Sequence, residues 1–278
     1  MEFICPSDLE ALAFLQENFP ESSANTLREW IKAGRVRVNG KAIGKSHDTI
    51  PKGAGVVIGP KVSFIDKKVK LLFEDEALVV LEKPEGLLSV ATDFEKATSL
   101  HDMLKKRFHR QRVFPVHRLD RGTSGVMLFA YSEFSRKHLK QQFEQHSIEK
   151  VYFAIVAGAP PSAKGTWESY LQEDPLYSMH STSDPEKGKL AITHYEVIGR
   201  RGQYALLCLK PVTGKKHQLR VHCQQAGIPV VGDDRYQGPA FSRLCLHAAK
   251  LSFVHPLRKK KMHFEAPLPR VFEKFISL

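Results

Sequence analysis

A charged loop that leads directly into an apolar run constrains the fold of this chain more than any other stretch. It reads His117-Arg118-Leu119-Asp120-Arg121-Gly122-Thr123-Ser124-Gly125. The four small residues at its end suit a tight loop, and the apolar residues 126–130 that follow predict a buried strand. A carboxylate held between two arginines at a strand edge is a common way to build a functional site. A surface ion pair beside an ordinary turn fits the same nine residues.

The charge of the whole chain favours a polyanionic partner. Lys and Arg number 42 against 30 Asp and Glu, which gives a formal net charge of +12. Nucleic acid is favoured over a membrane surface, because no basic helix with a strong apolar face stands out. The four cysteines form no CxxC pair, and the sequence contains no secretion signal and no membrane-spanning apolar run. These features predict a cytoplasmic protein with free thiols.

Residues 1–60 have the pattern of a small module of short helices and strands. A serine at position 22 or 23 can cap a helix in which Leu27 and Ile31 share one face. Beyond Gly34, alternation of basic and apolar residues places Arg35 and Arg37 on one face of a short strand. Asn39-Gly40 is the strongest short signal for a hairpin turn.

The centre of this module carries a family resemblance. It reads Leu27-Arg28-Glu29-Trp30-Ile31-Lys32-Ala33-Gly34-Arg35-Val36-Arg37-Val38-Asn39-Gly40-Lys41, and residues 22–58 around it resemble the S4 RNA-binding domain. That family typically has an arginine just before the helix, where this chain has Ser23-Ala24. The resemblance implies that RNA phosphates are contacted by four basic residues, Arg28, Lys32, Arg35 and Arg37. Without the resemblance, the four residues are equally a solvated basic face.

A charged connector, residues 61–70, separates the module from a larger domain expected at 71–278. Strands are predicted at 77–81, 126–130, 151–157, 193–198, 204–209, 246–253 and 262–264. Helices are predicted from a Ser99 cap to about 108, from 132 to about 146 and at 216–225, with a short helix at the end of the chain. Residues 159–189, rich in Pro, Ser, Asp, Gly and Lys, predict a loop with short strands.

Asp120 is the strongest candidate for chemistry on the residues alone. A metal site is disfavoured, because His217 and His222 lie five apart with no acidic residue at a useful offset. A glycine-rich phosphate loop is also missing. A carboxylate that arginines hold by charge-assisted bonds can act as a nucleophile. No second carboxylate lies close in sequence, so a paired-acid glycosidase is not indicated, although the fold could bring one in.

The loop that contains Asp120 resembles the His-Arg-Leu-Asp-x-x-Thr-Ser-Gly signature of RluA-type pseudouridine synthases. Three further blocks agree in order and spacing, and the resemblance spans about residues 71–269. One departure is Lys215, where the family usually has an arginine. Lysine keeps the positive charge but lacks the planar guanidinium that binds an anion through two hydrogen bonds. The three blocks are Glu74-Asp75 through Glu82-Lys83-Pro84-Glu85-Gly86-Leu87, then Lys150-Val151-Tyr152-Phe153-Ala154-Ile155-Val156-Ala157-Gly158, and Leu209-Lys210-Pro211-Val212-Thr213-Gly214-Lys215-Lys216-His217-Gln218-Leu219-Arg220-Val221-His222 leading to Gly232-Asp233-Asp234-Arg235-Tyr236.

Together the two resemblances imply an α+β protein. A small S4-like module of helices and a hairpin would precede a pseudouridine synthase domain with a mixed, mostly antiparallel sheet flanked by helices. In that domain Asp120 would attack uridine at ribose C1′ or at ring C6, after which uracil turns and rejoins through C5. Arg220 would pair with Asp120, and Tyr152 would stack on the target base. An isomerisation of this kind needs no cofactor.

The resemblance also implies eight substrate-binding residues. The target base must leave its stack, and one arginine would fill the gap. Others would shape the loop, wall the pocket or contact backbone phosphate. They are Arg118 as the wedge, His117, Thr123 and Ser124 in the loop, Leu219 and Val221 in the pocket wall, and Lys83 and Lys216 at the phosphates.

The substrate expected from the resemblance is large-subunit ribosomal RNA, because family members with an S4 module mostly act on it. Transfer RNA is the second choice. A non-catalytic RNA chaperone or ribosome assembly factor could keep the same fold, but the presence of Asp120, Tyr152 and Arg220 argues against that role. The protein is expected to act as a monomer and to have no membrane as a partner.

Overall fold

The computed structural model describes residues 2–32, 34–59, 63–66, 68–91, 98–108, 112–175 and 177–276, and the chain divides into two compact units, Met1–Ser63 and Phe64–Leu278. The elements in chain order are β1 (Glu2–Ile4), β2 (Leu9–Glu10), α1 (Ala11–Asn18), α2 (Ala24–Lys32), β3 (Val36–Val38), β4 (Lys41–Ala42), β5 (Thr49–Ile50), β6 (Gly55–Ile58), β7 (Ser63–Asp66), β8 (Val69–Glu74), β9 (Leu78–Lys83), α3 (Leu100–Arg107), β10 (Phe114–Pro115), β11 (Ser124–Ala130), α4 (Glu133–Glu144), β12 (Glu149–Ala157), β13 (Lys164–Glu173), β14 (Met179–Thr182), β15 (Lys189–Arg201), β16 (Tyr204–Pro211), α5 (Gln218–Gln225), β17 (Leu246–Val254), β18 (Lys261–Glu265) and a 3-10 helix (Arg270–Lys274).

The first unit packs α1 and α2 against a four-stranded sheet in the order β1-β6-β3-β4. Its core is continuous, with Phe14 and Leu27 fully buried. The serine cap of α2 is confirmed, since the Ser23 hydroxyl accepts a hydrogen bond from the amide of Thr26 at 3.2 Å. The hairpin between β3 and β4 is confirmed as well. Asn39 and Gly40 both have positive φ angles, 49° and 81°, the pattern of the tight turn that suits strand twist.

The second unit is built on one twelve-stranded sheet. Its main path runs β14-β13-β15-β16-β12-β17-β11-β9-β8-β7, with β10 paired to β11 and β18 paired to β17. Strands β11 and β17 pair in parallel, with Ser124 opposite His247, and every other pairing with a described register is antiparallel. The expectation of a mixed, mostly antiparallel sheet is confirmed. All seven residues of β11 are buried, which explains its unbroken apolar sequence.

Helix boundaries in the second unit follow local signals. Ser99 and Asp102 form a reciprocal capping box at the start of α3, and Ser132 caps α4 through the amide of Ser135. Helix α5 begins at Gln218, two residues later than predicted. The reason is His217, whose φ of 53° is left-handed and excludes it from the helix.

Two segments contain more strand than the sequence predicts. The connector at 61–70 contains strand β7 and the start of β8, and Val69 is buried in the core with Ile65 packed nearby. Residues 60–62 and 67 lie outside the described residues. The segment 159–189, predicted as a loop with short strands, contains β13 and β14. Strand β13 is ten residues long and pairs with β15 over eight of them, so it is longer than predicted. Polar residues dominate β13 because one of its faces is solvated.

A close backbone approach positions the loop that precedes β11. Gly125 has a φ of 124°, and a Cβ built there would lie 2.1 Å from the carbonyl oxygen of Ala248 on β17. Glycine is therefore required for the two parallel strands to approach each other. None of the described helices is long and apolar enough to cross a membrane.

Candidate active site

Asp120 lies in a turn whose backbone is fixed on both sides. The Ser89 hydroxyl donates to the carbonyl of Leu119 at 2.6 Å and accepts from its amide at 3.0 Å. On the other side, the amide of Gly86 donates to the carbonyl of Arg121 at 2.8 Å, and the Arg121 side chain donates back to Gly86 at 3.0 Å. The turn therefore presents the Asp120 carboxylate, 29% exposed, from a rigid support.

A buried lysine supports the same turn from beneath. Lys83 is fully buried, and its ammonium donates to the carbonyls of Pro84 at 3.0 Å, Leu87 at 2.7 Å and Arg121 at 3.2 Å. Burial lowers the pKa of Lys83 to about 7, opposed by the negative charge of Asp120. The predicted contact between Lys83 and phosphate is wrong, because no polyanion can reach a side chain with no exposed surface. Its hydrogen bonds join the loop after β9 to the Asp120 turn.

Arg220 connects Asp120 to a second, buried carboxylate. Its Nε and Nη2 atoms donate to Asp233 Oδ2 and Oδ1 at 2.6 and 2.7 Å, and its Nη1 lies 3.3 Å from Asp120 Oδ2. Burial lowers the pKa of Arg220, but the hydrogen bonds and charges of both carboxylates more than reverse this, so its pKa is raised. The bidentate pair with Asp233 fixes the guanidinium plane and leaves one donor for Asp120.

His217 faces the opposite oxygen of the same carboxylate. Its Nε2 lies 4.0 Å from Asp120 Oδ1, and its Nδ1 lies 2.8 Å from the hydroxyl of Tyr236. That hydroxyl also accepts from the amide of Met179 at 3.1 Å. Burial lowers the pKa of His217 to about 4, so the ring is neutral near pH 7. When Tyr236 donates to Nδ1, the ring proton is on Nε2, toward Asp120.

Tyr152 lies on β12, opposite Leu209 on one side and Ala248 on the other. Burial raises the pKa of Tyr152, and the negative charge of Asp120 raises it further. The fold therefore brings Asp120 of the turn, Tyr152 of β12 and Arg220 of α5 to one site. The phenol is neutral there, which suits a stacking ring better than a base.

The other predicted loop residues differ in exposure. Arg118 is exposed on the Asp120 turn. His117 points inward, where its Nε2 accepts from the amide of Leu128 at 3.0 Å and its ring stacks on Phe143 at 4.9 Å. Burial lowers the pKa of His117 to about 3. Thr123 and Ser124 are only 2% and 4% exposed. These three residues lie where they can shape the loop from within, and their part in substrate binding stays a prediction.

The residues predicted on α5 also lie deeper than a pocket wall. Leu219 and Val221 are 7% and 1% exposed, and each packs in a hydrophobic cluster, Val221 against Tyr236. They support the site from below. Lys216 is partly exposed, but its ammonium contacts the carboxylate of Glu173 and donates to the carbonyl of Tyr177 at 3.0 Å. A phosphate contact by Lys216 stays a prediction.

The four basic residues predicted in the first unit separate into two groups. Arg28, Lys32 and Arg37 are exposed, although Lys32 pairs with Glu29 at 3.3 Å. Arg35 is half-buried: its guanidinium lies 4.2 Å over the Trp30 ring, and its Nε donates to the carbonyl of Gly59 at 3.0 Å. Burial lowers the pKa of Arg35. Arg35 therefore holds the unit together, which leaves Arg37 as the better candidate for a phosphate contact.

Sequence reasoning gave no role to Asp233, Tyr236 or His217. All three lie in blocks that resemble the family. A buried acid near an arginine is the signal that could have suggested Asp233. Among the described residues, no group of three or more His, Cys, Asp or Glu is arranged to hold a metal ion.

Comparisons with known proteins identify the families of the two units. The sequence model of the RNA pseudouridylate synthase family matches residues 77–225, and that of the S4 domain matches residues 13–56. The ribosomal large subunit pseudouridine synthase C of Vibrio vulnificus (strain CMCP6) is 29% identical over 288 residues, which covers 95% of this chain and 90% of that protein.

Two further relatives cover less of the chain. The tRNA pseudouridine synthase C of Haemophilus ducreyi (strain 35000HP) is 34% identical over 232 residues, 76% of this chain and 95% of that protein. The solved structure of human RNA Pseudouridylate Synthase Domain Containing 4 superposes with a TM-score of 0.62 at 26% identity, covering 73% of this chain and 89% of that one.

Proposed function

The chain belongs to the RNA pseudouridylate synthase family and carries an S4 domain, and we propose that it isomerises uridines of large-subunit ribosomal RNA with Asp120 as the nucleophile. The observation that carries the chemical part is the bridge from Asp233 through Arg220 to Asp120. A carboxylate that is both partly exposed and held in orientation suits nucleophilic attack. Attack at ribose C1′ and attack at ring C6 both lead to the same product.

The reaction conserves all atoms of the uridine. The bond between N1 and C1′ breaks, the uracil turns within the site, and a bond forms between C5 and C1′. The proton lost from C5 is balanced by a proton taken up at N1. Asp120 forms and then releases a covalent bond. Arg220 orients Asp120, and Tyr152, neutral because its pKa is raised, stacks on the base. Arg118, exposed on the turn, takes the place that the base leaves in the RNA stack.

Ribosomal RNA is favoured over transfer RNA by the extent of the matches. The relative named for the large ribosomal subunit matches 95% of the chain, which includes the S4 unit. The relative named for tRNA matches 76%, too little to include both units in full. A domain that binds structured RNA suits a large folded substrate. Incubation with transcripts of both RNA classes, followed by pseudouridine mapping, distinguishes the two; modification of tRNA alone would overturn the ribosomal assignment.

Substitution of Asp120 tests the nucleophile. Asp120→Asn keeps the shape of the side chain but removes the nucleophilic carboxylate. We expect pseudouridine formation to fall by at least about 10³-fold, since covalent catalysis is lost, while the Kd for RNA changes little. Asp234→Asn, on the exposed neighbour of Asp233, is the matched control. Residual turnover above one tenth of the wild-type rate would exclude Asp120 as nucleophile. A wild-type protein that binds ribosomal RNA without modifying any uridine would instead favour an assembly factor.

The S4 unit is proposed to bind RNA phosphate through exposed cations. Deletion of residues 1–60 should weaken RNA binding and flatten its dependence on salt. A sharper comparison substitutes two arginines separately, Arg37 in β3 and Arg35 directly before it. Arg37→Ala should reduce the slope of log K against log salt by about one without lowering the melting temperature. Arg35→Ala should lower the melting temperature, because it removes the contacts with Trp30 and Gly59. An unchanged slope in the deletion variant would contradict the role of the unit.

We propose a monomer in the cytoplasm as the working form. The support is that all four cysteines are free and buried, as in proteins of reducing compartments. Light scattering on the purified protein should give the mass of one chain, and fractionation of cells should recover it with cytoplasmic ribosomes.

A further inference from the structure

A largely buried arginine, Arg243, lies in the segment before β17 and contacts the end of the Asp120 turn. Its side chain is 8% exposed and donates through each of its three nitrogens. Nη2 donates to the Ser124 hydroxyl at 2.7 Å, Nη1 to Glu85 Oε2 at 2.8 Å, and Nε to the carbonyl of Leu244 at 3.1 Å. These bonds hold the guanidinium in one orientation.

The contact with Ser124 begins a directional chain of hydrogen bonds. His247 Nε2 lies 3.3 Å from the carbonyl oxygen of Ala266, which can only accept, so this nitrogen carries the proton of the neutral ring. Burial lowers the pKa of His247 to about 4, which keeps the ring neutral near pH 7. Its Nδ1 therefore accepts from the Ser124 hydroxyl at 2.8 Å, and that hydroxyl accepts from Arg243. The chain fixes the first residue of β11, where the Asp120 turn ends.

Glu85 gives Arg243 a second contact with the turn. Gly86, the residue after Glu85, donates from its amide to the carbonyl of Arg121 at 2.8 Å and accepts from the Arg121 side chain at 3.0 Å. The ion pair between Arg243 and Glu85 therefore acts on the loop that supports the turn from its other side. A network in which every donor has an acceptor restricts the movement of all its members.

The segment before β17 also contacts the residues around the buried acid. Gly232, directly before Asp233, has a φ of 77°, and a Cβ built there would lie 1.8 Å from the carbonyl oxygen of Arg243. A Cβ built on Gly122, in the turn before β11, would lie 3.1 Å from Leu244 Cβ. This segment is therefore in contact with both the turn and the chain that leads into the buried acid.

We propose that Arg243 is a positioning residue that keeps Asp120 within hydrogen-bond reach of Arg220. The proposal rests on the proposed function, since it names a further residue on which that reaction depends. Arg220 Nη1 lies 3.3 Å from Asp120 Oδ2, so a small shift of either segment would break the hydrogen bond. The side chain of Arg243 holds the turn, and its backbone packs against the chain next to Asp233. Arg243 itself contacts no reacting atom.

Kinetics on transcripts of large-subunit ribosomal RNA test this role. Arg243→Lys keeps the charge but lacks the planar fork, so it cannot bind Glu85 and Ser124 together. We expect kcat for pseudouridine formation to fall about 100-fold, the loss that follows a misplacement near 1 Å, while KM changes little. Arg136→Lys is the matched control and should leave kcat unchanged. Arg136, like Arg243, lies 5.7 Å over a phenylalanine ring and pairs with a glutamate.

A second variant, Ser124→Ala, shows whether the arginine acts through the hydroxyl. It removes one oxygen from the middle of the chain and leaves Arg243 in place, so it tests the proposal even if Arg243→Lys does not fold. We expect kcat to fall about tenfold, as for the loss of one hydrogen bond to a charged group. The double variant should lose less than the product of the two single losses, because both act on one contact. Losses that multiply would overturn the proposal.

Amide hydrogen exchange tests the positioning without any reaction. The amides of Thr123 and Gly86 donate to carbonyls of the Asp120 turn at 3.1 and 2.8 Å. In Arg243→Lys both should exchange about tenfold faster than in the wild type, whereas the amide of Ser135, which caps α4, should be unaffected. This result supports the proposal whether or not the wild type modifies RNA.

The remaining outcomes separate the two proposals. Unchanged exchange at the turn, or an equal rise at all three amides, would overturn the positioning role, since the second result reports only a loss of global stability. A folded Arg243→Lys variant with wild-type kcat would overturn it as well. A wild type that forms no pseudouridine overturns the proposed function separately.

Discussion

At the scale of single residues, the geometry of Asp120 depends on a carboxylate that touches no substrate. Asp233 is 1% exposed, and both of its oxygens accept from Arg220. Asp233→Asn should lower kcat about 100-fold, the order of loss that follows a misplacement near 1 Å, because the amide cannot hold the guanidinium fork. The measurement is a comparison of kcat and KM, with KM expected to change little since the side chain is behind Arg220.

The neighbouring acid supplies the control for this prediction. Asp234 is exposed, so Asp234→Asn should leave kcat and the melting temperature unchanged. Asp233→Asn should also lower the melting temperature, because breaking a buried ion pair costs about 3–5 kcal/mol. A variant with lower stability but wild-type kcat at a temperature where it is folded would show that Asp233 only stabilises the fold.

Single residues also show what sequence can and cannot predict about the site. Asp120 was recognisable because its loop is one contiguous motif, read without knowledge of the fold. The pairing of Arg220 with Asp233 could not be recognised in the sequence, because it depends on the path of the chain between the two residues. The resemblance implies a phosphate contact for Lys83, and lysines are rarely buried. Its burial is possible only since three carbonyls converge on its ammonium.

At the scale of elements, the parallel contact between β11 and β17 determines where the Asp120 turn lies. Gly125→Ala should destabilise the second unit by more than about 3 kcal/mol, because the new Cβ meets backbone atoms of Ala248 that cannot move aside. Denaturant titration of the full chain measures the change. Gly202→Ala is the matched control: Gly202 also has positive φ, 58°, but no atom lies within 4 Å of a Cβ built there.

The glycine control separates conformational strain from steric overlap. Gly202→Ala should cost about 1 kcal/mol, the price of positive φ alone. If Gly125→Ala cost no more than this, the close approach of the two strands would not determine the register. If it cost more but left pseudouridine formation intact, the register would not position Asp120.

Elements with strong local signals were predictable, and those that depend on partners were not. Ser99, Ser132 and Asn39-Gly40 each specify a cap or a turn within four residues, and all three are observed. Strand β13 has no such signal. Its polar sequence resembles a loop until β15 pairs with it, and its exposed edge toward β14 tolerates serine and glutamate. Periodicity alone cannot identify a strand that has one solvated face and many polar residues.

At the scale of the whole molecule, four histidines among the described residues of the second unit are kept neutral by desolvation. Burial lowers their pKa values far below the ordinary 6.5, to about 3 for His117 and to about 4 for His217, His222 and His247. Between pH 6.5 and 4 the unfolded chain takes up protons that the folded chain does not. The free energy of unfolding therefore falls as the pH falls through this window, and is regained in full above it.

His117 offers the sharpest test of this acid sensitivity, because its pKa is lowered most of the four. Its ring accepts a hydrogen bond from Leu128 and stacks on Phe143. His117→Gln keeps an acceptor but removes the titrating group. Relative to the wild type, the variant should gain about 3 kcal/mol of stability between pH 7 and pH 4, at about 1.4 kcal/mol per unit of lowered pKa. Urea titrations of both proteins at the two pH values measure the difference. The same substitution at exposed His180 is the control for replacing a histidine by glutamine at the surface. If His117→Gln and wild type lost stability in parallel between the two pH values, protonation of His117 would not contribute to the acid sensitivity.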